Sequence, residues 1–363
     1  MKRTLALLFA SLLCLGLLAG CDSRPQEDDP SQPADQQTET EDDGIMKILV
    51  IGHSLGVDTM YLMPEVARLQ GVENYVMGIL YRSAALNYHA GYLKNNKAAY
   101  AYFEYVSGED TVWRRADCNG NFIPNRPGEA NDKYIEDGFI AVKAEFALQR
   151  HDWDVVITMA GSSEATGRIT GNPQEDLNIV DVDAVTKYVL EHDLEPATTP
   201  KFGWHMAWVV PQDNTLLNEA RKTFLATYFE GSAMKAYESN VATVRDKVAP
   251  YLEGKFDFLL PCVTAMQNAK SSALIKDSDI HRDYIHATDY GRLIAAYTWY
   301  CGITGTNIRD CKFGPVYHGI LIDNLMRNSG KDLVMTELQQ NILIEAVENA
   351  FKEPYQITVS QYQ

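Results

Sequence analysis

Two short strings in this chain carry side chains that together could cleave an acyl bond. One is Gly52-His53-Ser54-Leu55-Gly56; the other, far downstream, is Asp283-Tyr284-Ile285-His286. A serine hydroxyl is a weak nucleophile until a neighbouring base takes its proton. An imidazole with one nitrogen facing an aspartate is held in the tautomer whose other nitrogen can accept that proton. Neither string decides the matter alone. A serine just after a strand also serves as a helix or turn cap, and a DxxH spacing arises readily by chance. The first string formally satisfies Gly-x-Ser-x-Gly, yet a nucleophile elbow of that kind follows several strands, whereas Ser54 follows the first. The pairing of a first-strand serine with a DxxH beyond a fifth strand is what points to acyl chemistry, with Ser54 attacking, His286 as base and Asp283 orienting it.

Such residues need a scaffold that brings them together. Residues 47–51 form an apolar run stopping at Gly52, as expected of a strand buried on both faces. Further strand candidates are 75–80, 153–159, 202–210 and 256–260. Helical patterns cover 65–70, 181–192, 214–229, 233–252 and a stretch capped by Thr288 that stops near Gly302. Strands alternating with helices imply right-handed crossovers. The expected fold class is therefore α/β, a parallel sheet of about five strands with helices on both faces. Region 98–131, aromatic and then turn-rich, reads as a β-hairpin insertion; 305–363, with a helix at 336–352, reads as a C-terminal extension of one domain spanning 46–363. Chemistry is expected where loops leave the C-terminal ends of the parallel strands.

The chain has 363 residues, 46% of them hydrophobic and 22% charged, a globular composition that excludes collagen-like, wholly disordered and disulfide-scaffold classes. Its formal charge of −17 argues against a nucleic-acid partner, because phosphate contacts need Lys and Arg. Much of the acidity lies in 22–45, where Arg24 is the only base and Ile45 the only large hydrophobe. That segment cannot bury enough apolar surface to offset its ordering entropy, and is expected to be a disordered acidic tether. Ahead of it, Lys2 and Arg3 precede an apolar run over 5–19, shorter than the roughly 20 residues of a spanning helix and matching a signal h-region. The run ends in Leu18-Ala19-Gly20-Cys21, which resembles a bacterial lipobox. The resemblance implies a signal peptide over 1–20, lipidation of Cys21 and a place in the bacterial cell envelope, at the outer membrane, with the lipid as the only membrane attachment. Cys118, Cys262, Cys301 and Cys311 form no CxxC pair and have no His at ligand spacing, so no metal is expected. A disulfide between Cys301 and Cys311 and four buried free thiols are the alternatives.

A family resemblance joins these strings. Gly52-His53-Ser54 resembles the first block of the SGNH hydrolase superfamily, to which GDSL-like esterases belong, and Asp283-Tyr284-Ile285-His286 resembles its last. The chain is most similar to a branch common among bacterial lipoproteins, through Trp153-Asp154-Val155-Val156, Gly161-Ser162, Gly203-Trp204-His205-Met206, the run 261–270 and Gly291-Arg292, in order. The resemblance implies a three-layer α/β/α flavodoxin-like fold and serine ester hydrolysis without metal or organic cofactor. The implied substrate is an acylated glycan or small ester, with deacetylation of a carbohydrate as the expected activity. Three departures bear on the oxyanion site. His53 replaces the usual Asn or Asp; Ser83 or Ala84 replaces a glycine whose N–H helps bind the oxyanion; and the third-block amide side chain is missing. Ser162, Ser163 or the Gly161 N–H would have to stand in. Losing one such donor costs about 10²–10³ in kcat, so a glycan-binding surface lipoprotein with weakened catalysis is the competing expectation. His89 either lines the pocket or ties down a loop, and Gln267 either holds sugar hydroxyls or caps a turn. His205 reads as a core residue, His281 as polar loop and Asp58 as a cap of the first helix. Aromatic residues of the insertion suit either sugar stacking or the core.

Overall fold

β1 (Met46–Gly52) becomes the sheet's central strand because its apolar run has no face suited to water: Ile48, Leu49, Val50 and Ile51 are fully buried. It pairs in parallel with β2 (Tyr75–Tyr81) on one side. On the other it pairs with β6 (Val155–Met159), followed by β7 (Lys201–His205) and β8 (Phe258–Leu260), all parallel. These five strands run β2-β1-β6-β7-β8, the 2-1-3-4-5 order of flavodoxin-like sheets when the parallel strands alone are counted. The computed structural model describes residues 46–108, 113–123, 141–172, 175–192, 199–316 and 332–363. The signal sequence, Cys21, the tether over 22–45 and parts of the insertion and the extension lie outside the described residues.

The insertion joins this sheet. β3 (Ala101–Val106) pairs antiparallel with β2, and β4 (Arg114–Ala116) and β5 (Phe122–Ile123) continue outward, giving eight strands in all. Its residues Tyr100, Tyr102, Phe103, Tyr105 and Trp113 are buried, so these aromatic side chains serve the core and present no face for sugar stacking.

Helices form a layer on each face. α1 (Ser54–Tyr61), α2 (Met63–Gln70), α8 (Cys262–Lys270), α10 (Asp289–Thr304) and α11 (Glu337–Lys352) pack on one another. α3 (Leu86–Lys94), α4 (Ala144–Leu148) and α5 (Asp181–His192) form the second group. α6 (Glu219–Phe229), α7 (Ala233–Thr243), which runs on through a π-helical turn at Val244–Val248 into a last helical turn at Ala249–Leu252, and the short α9 (Asp277–Ile280) complete the α-helices among the described residues. No helix among them is long and apolar enough to cross a membrane.

The structure differs from expectation where burial hides the pattern. β7 stops at His205, because β8 is too short to pair with more of it; Met206 instead receives Val263 N–H and donates its own N–H to Leu260 O at 3.0 Å. α8 is buried from Cys262 to Ala269, so no polar stripe betrays it in the sequence. α6 starts at Glu219, capped by Asn218, and α10 runs past Gly302 to a left-handed Gly305. The thiols of Cys301 and Cys311 lie 3.9 Å apart and are free; Cys118 is exposed, so three of the four thiols are buried and not all.

Candidate active site

Ser54 is the first residue of α1 because His53 ends the strand and caps the helix. The His53 Nδ1 accepts the Leu55 N–H at 3.4 Å, and its carbonyl accepts from Gly56 and Val57. Burial lowers the His53 pKa to about 4, so the ring stays neutral and Nδ1 keeps the lone pair that capping needs. His53 thus does the work expected of a smaller capping residue at that position. The first N–H groups of a helix have no intrahelical acceptor, which leaves the Ser54 N–H pointing out of the helix start, where the helix dipole favours negative charge.

The three residues of the two sequence strings meet. Ser54 Oγ lies 3.0 Å from His286 Nε2, and His286 Nδ1 lies 3.0 and 3.1 Å from the Asp283 oxygens. A carboxylate only accepts hydrogen bonds, so Nδ1 donates and Nε2 is left to accept from the serine. Asp283 also accepts the N–H groups of Ile285 and His286 at 2.9 and 2.8 Å. Burial opposes its charge, but these bonds and the imidazole hold its carboxyl well below the usual range.

The turn that carries His286 is clamped from beneath. Asp58 is not a helix cap: it lies one turn after Ser54 on α1, fully buried, and its Oδ2 accepts the Ala287 N–H at 2.9 Å. Its Oδ1 accepts from Arg282 Nη1 at 3.0 Å and from Arg292 Nε and Nη2 at 3.0 and 2.9 Å. Burial pushes the Asp58 pKa up, and the two guanidinium groups more than reverse that, leaving it below its ordinary value. Trp208 Nε1 donates to Ile285 O at 2.6 Å. A Cβ on Gly291 would sit 2.3 Å from the Ile280 carbonyl oxygen, so only glycine lets α10 start this close to the turn.

A pocket of about 210 Å³ opens beside Ser54 between the loops that follow β1, β2 and β6. Among the candidate oxyanion donors, Ser83 keeps its N–H free, whereas Ala84 donates its own to Arg82 O at 2.9 Å. Gly161 is likewise unavailable: its N–H donates to Glu164 Oε2 at 2.6 Å. Ser162 Oγ is buried at the pocket wall without a partner, and Ser163 Oγ accepts from Arg221. His89 and Gln267 lie outside the pocket. His89 is buried against Tyr100, whose hydroxyl is 3.2 Å from Nδ1; Gln267 is buried on α8, its Oε1 facing Gln212. His205 is a core residue that accepts from Trp299 Nε1 at 2.8 Å, while His281, expected in a polar loop, is buried. Among the described residues no group of three or more His, Cys, Asp or Glu is placed to hold a metal.

Two side chains of the pocket were not singled out from the sequence. Glu164 accepts N–H groups from Gly161 and, at 3.0 Å, from Leu86, tying the β6 loop to the start of α3. Burial raises its pKa from 4.5 to about 7. A carboxyl with a raised folded-state pKa contributes stability that is fully present below its unfolded value and is lost as pH rises through the folded one. The wild type is therefore expected to lose about 3 kcal/mol relative to Glu164→Gln between pH 4.5 and 8, read from urea unfolding across that window; parallel pH profiles would refute it. The other side chain is Arg221. An arginine early in a polar helix reads as solvated, so no signal in the chain marks it as a pocket residue.

Comparison with known proteins places the chain in a family. A search of curated proteins finds no match. A crystal structure of a DUF4886 family protein from Bacteroides uniformis is similar over 87% of this chain and 98% of its own, with 20% identity and a TM-score of 0.62; at that identity the likeness speaks for the fold alone. A chain from Slackia heliotrinireducens described as "a putative SGNH hydrolase" matches over 71% of this chain and 99% of its own, with 14% identity and a TM-score of 0.37, too slight a likeness to bear on the argument. The family model described as "Domain of unknown function (DUF4886)" matches residues 136–332, a stretch that holds the Glu164 loop, Arg221 and the Asp283–His286 turn. The match spans more than half of the sequence, and the chain belongs to the DUF4886 family.

Proposed function

We propose that this protein is a serine ester hydrolase of the SGNH type. The observation that carries the reading is the relay from Ser54 Oγ through His286 to Asp283, with contacts of 3.0 Å at both steps, at the mouth of a pocket that also holds free N–H groups. Ser54 attacks the ester carbonyl as its proton passes to His286 Nε2, and the carbonyl oxygen becomes an oxyanion. The Ser54 and Ser83 N–H groups receive that charge, with the Ser162 hydroxyl as a third donor in place of the missing amide. His286 then protonates the departing alcohol, and water, activated by the same imidazole, releases the acid from the acyl-serine. Asp283 keeps the imidazole in the required tautomer and stabilises it when charged.

The pocket's small volume suits an acetyl-sized acyl group, and the motif resemblance supports an acylated carbohydrate as the substrate. The lipobox-like Cys21 and the acidic segment after it support a lipid-anchored envelope protein held off the membrane by a tether. Diethyl p-nitrophenyl phosphate tests the chemistry directly. It is expected to release one p-nitrophenolate per chain and leave a diethylphosphoryl adduct on Ser54, with the His286→Ala variant reacting far more slowly. An adduct elsewhere, or none, would refute the assignment of Ser54 as nucleophile.

A further inference from the structure

The pocket contains a cation that the hydrolytic steps leave unused. Arg221 projects from the first turn of α6, where the Asn218 side chain caps its backbone N–H at 2.9 Å, and its guanidinium forms part of the same wall as Ser54, Ser163 and Glu164. Its one hydrogen bond is to the neutral Ser163 hydroxyl. It makes no ion pair with any described residue; burial lowers its pKa without removing the charge, and Tyr284 and then Glu175 act on it electrostatically without a hydrogen bond. Glu164, in the same lining, accepts backbone N–H groups on both of its carboxyl oxygens. The arginines of the neighbouring clamp are matched: Arg292 by Asp58 and Asp289 at 2.9 and 3.0 Å, and Arg282 by Asp58 at 3.0 Å. A partly desolvated guanidinium with a single hydroxyl as its hydrogen-bond partner has most of its donors unspent, and its planar fork matches a carboxylate.

We propose that Arg221 is a specificity residue that binds a carboxylate on the substrate, so that the favoured ester belongs to an O-acylated sugar acid or similar acidic alcohol, not to a neutral glycan. The inference rests on the esterase reading for its catalytic consequence, but the anion site itself can be tested apart from turnover. A single docked carboxylate is compatible with the acidity of the whole chain, because the charge that matters is the local one within the pocket.

The kinetic experiment compares 4-acetoxybenzoate with its methyl ester, which differ by one charge. For the wild type the anionic ester is expected to have the higher kcat/KM. In Arg221→Met the ratio of anionic to neutral kcat/KM is expected to fall by about 10–100-fold, the worth of a lost charge-assisted hydrogen bond, and Arg221→Lys is expected to recover part of it. Equal losses on the two esters would overturn the proposal, showing that Arg221 only positions the Ser163 loop. The binding experiment follows thermal unfolding of wild type and Arg221→Met with glucuronate, glucose, sulfate or phosphate. Stabilisation of the wild type alone, and by glucuronate alone, is expected. Stabilisation of both proteins, of neither, or by sulfate and phosphate in preference to glucuronate overturns it. If neither ester is hydrolysed while glucuronate still stabilises only the wild type, the esterase reading fails and the carboxylate site stands.

Discussion

Replacing Ser54 by alanine is expected to reduce kcat for p-nitrophenyl acetate by about 10⁴–10⁶-fold while leaving the unfolding midpoint nearly unchanged. The size follows from the way such relays work: nucleophile and base act as a unit, so removing either one forfeits most of the gain. The residual rate would come from the N–H groups of Ser54 and Ser83 and from substrate binding, none of which the substitution removes. The stability expectation has its own physical basis. Ser54 caps nothing; the cap is His53, and among the described residues the Ser54 side chain hydrogen-bonds only to His286. His286→Ala combined with Ser54→Ala is expected to be scarcely worse than either alone. Steady-state turnover of the four proteins decides the point: equal rates for wild type and Ser54→Ala would end the esterase reading, and additive losses would show that the two residues do not act together.

Substituting Asp58 with asparagine is expected to destabilise the fold by about 3–5 kcal/mol, measured by urea unfolding at pH 7. Removing one partner from a buried ion cluster strands the other charges in low dielectric, and here Arg292 is wholly buried while Arg282 is mostly so. Asp289 still faces Arg292 at 3.0 Å, which places the expected loss toward the lower end. The pH dependence runs opposite to that of Glu164. Because the folded pKa of Asp58 lies below its ordinary 3.8, its contribution is complete above that value and is lost as pH falls further. The difference between wild type and Asp58→Asn should hold steady from pH 5 to 8 and shrink under more acid conditions. The Ala287 N–H accepted by Asp58 adjoins His286, so ester hydrolysis should weaken along with stability. A variant as stable as the wild type at pH 7 would show that the clamp contributes little.

Much of the scaffold was legible because burial on both faces imposes continuous apolar runs, as in β1 and β6. The glycines and prolines that end those runs mark where the chain leaves the sheet. Legibility failed where an element has no exposed side: α8 shows no amphipathic period because almost all of it is buried. It failed again beyond His205, where the apolar run continues but the neighbouring strand does not. Asp58 and His281 were misread for a related reason. The partners of Asp58 lie far away along the chain, while His281 is buried by packing although its bridge is to nearby Ala287, and a polar residue looks solvated until its surroundings are known.

By itself the sequence determined which residue types were at hand and in what order: a serine after the first strand, an Asp and a His in one short turn, and the alternation that builds a parallel sheet. Those features are local, and the chemistry of a side chain travels with its identity. Tertiary structure alone decided which backbone N–H groups remain free, since every residue but proline carries the same donor and only its surroundings can occupy it. That is why Ser83 keeps its N–H while Ala84 and Gly161 do not. The fold also decided where a long side chain ends: Arg221 reaches from α6 into the Ser54 pocket and bonds the Ser163 hydroxyl, whereas Arg292 meets Asp58 on α1.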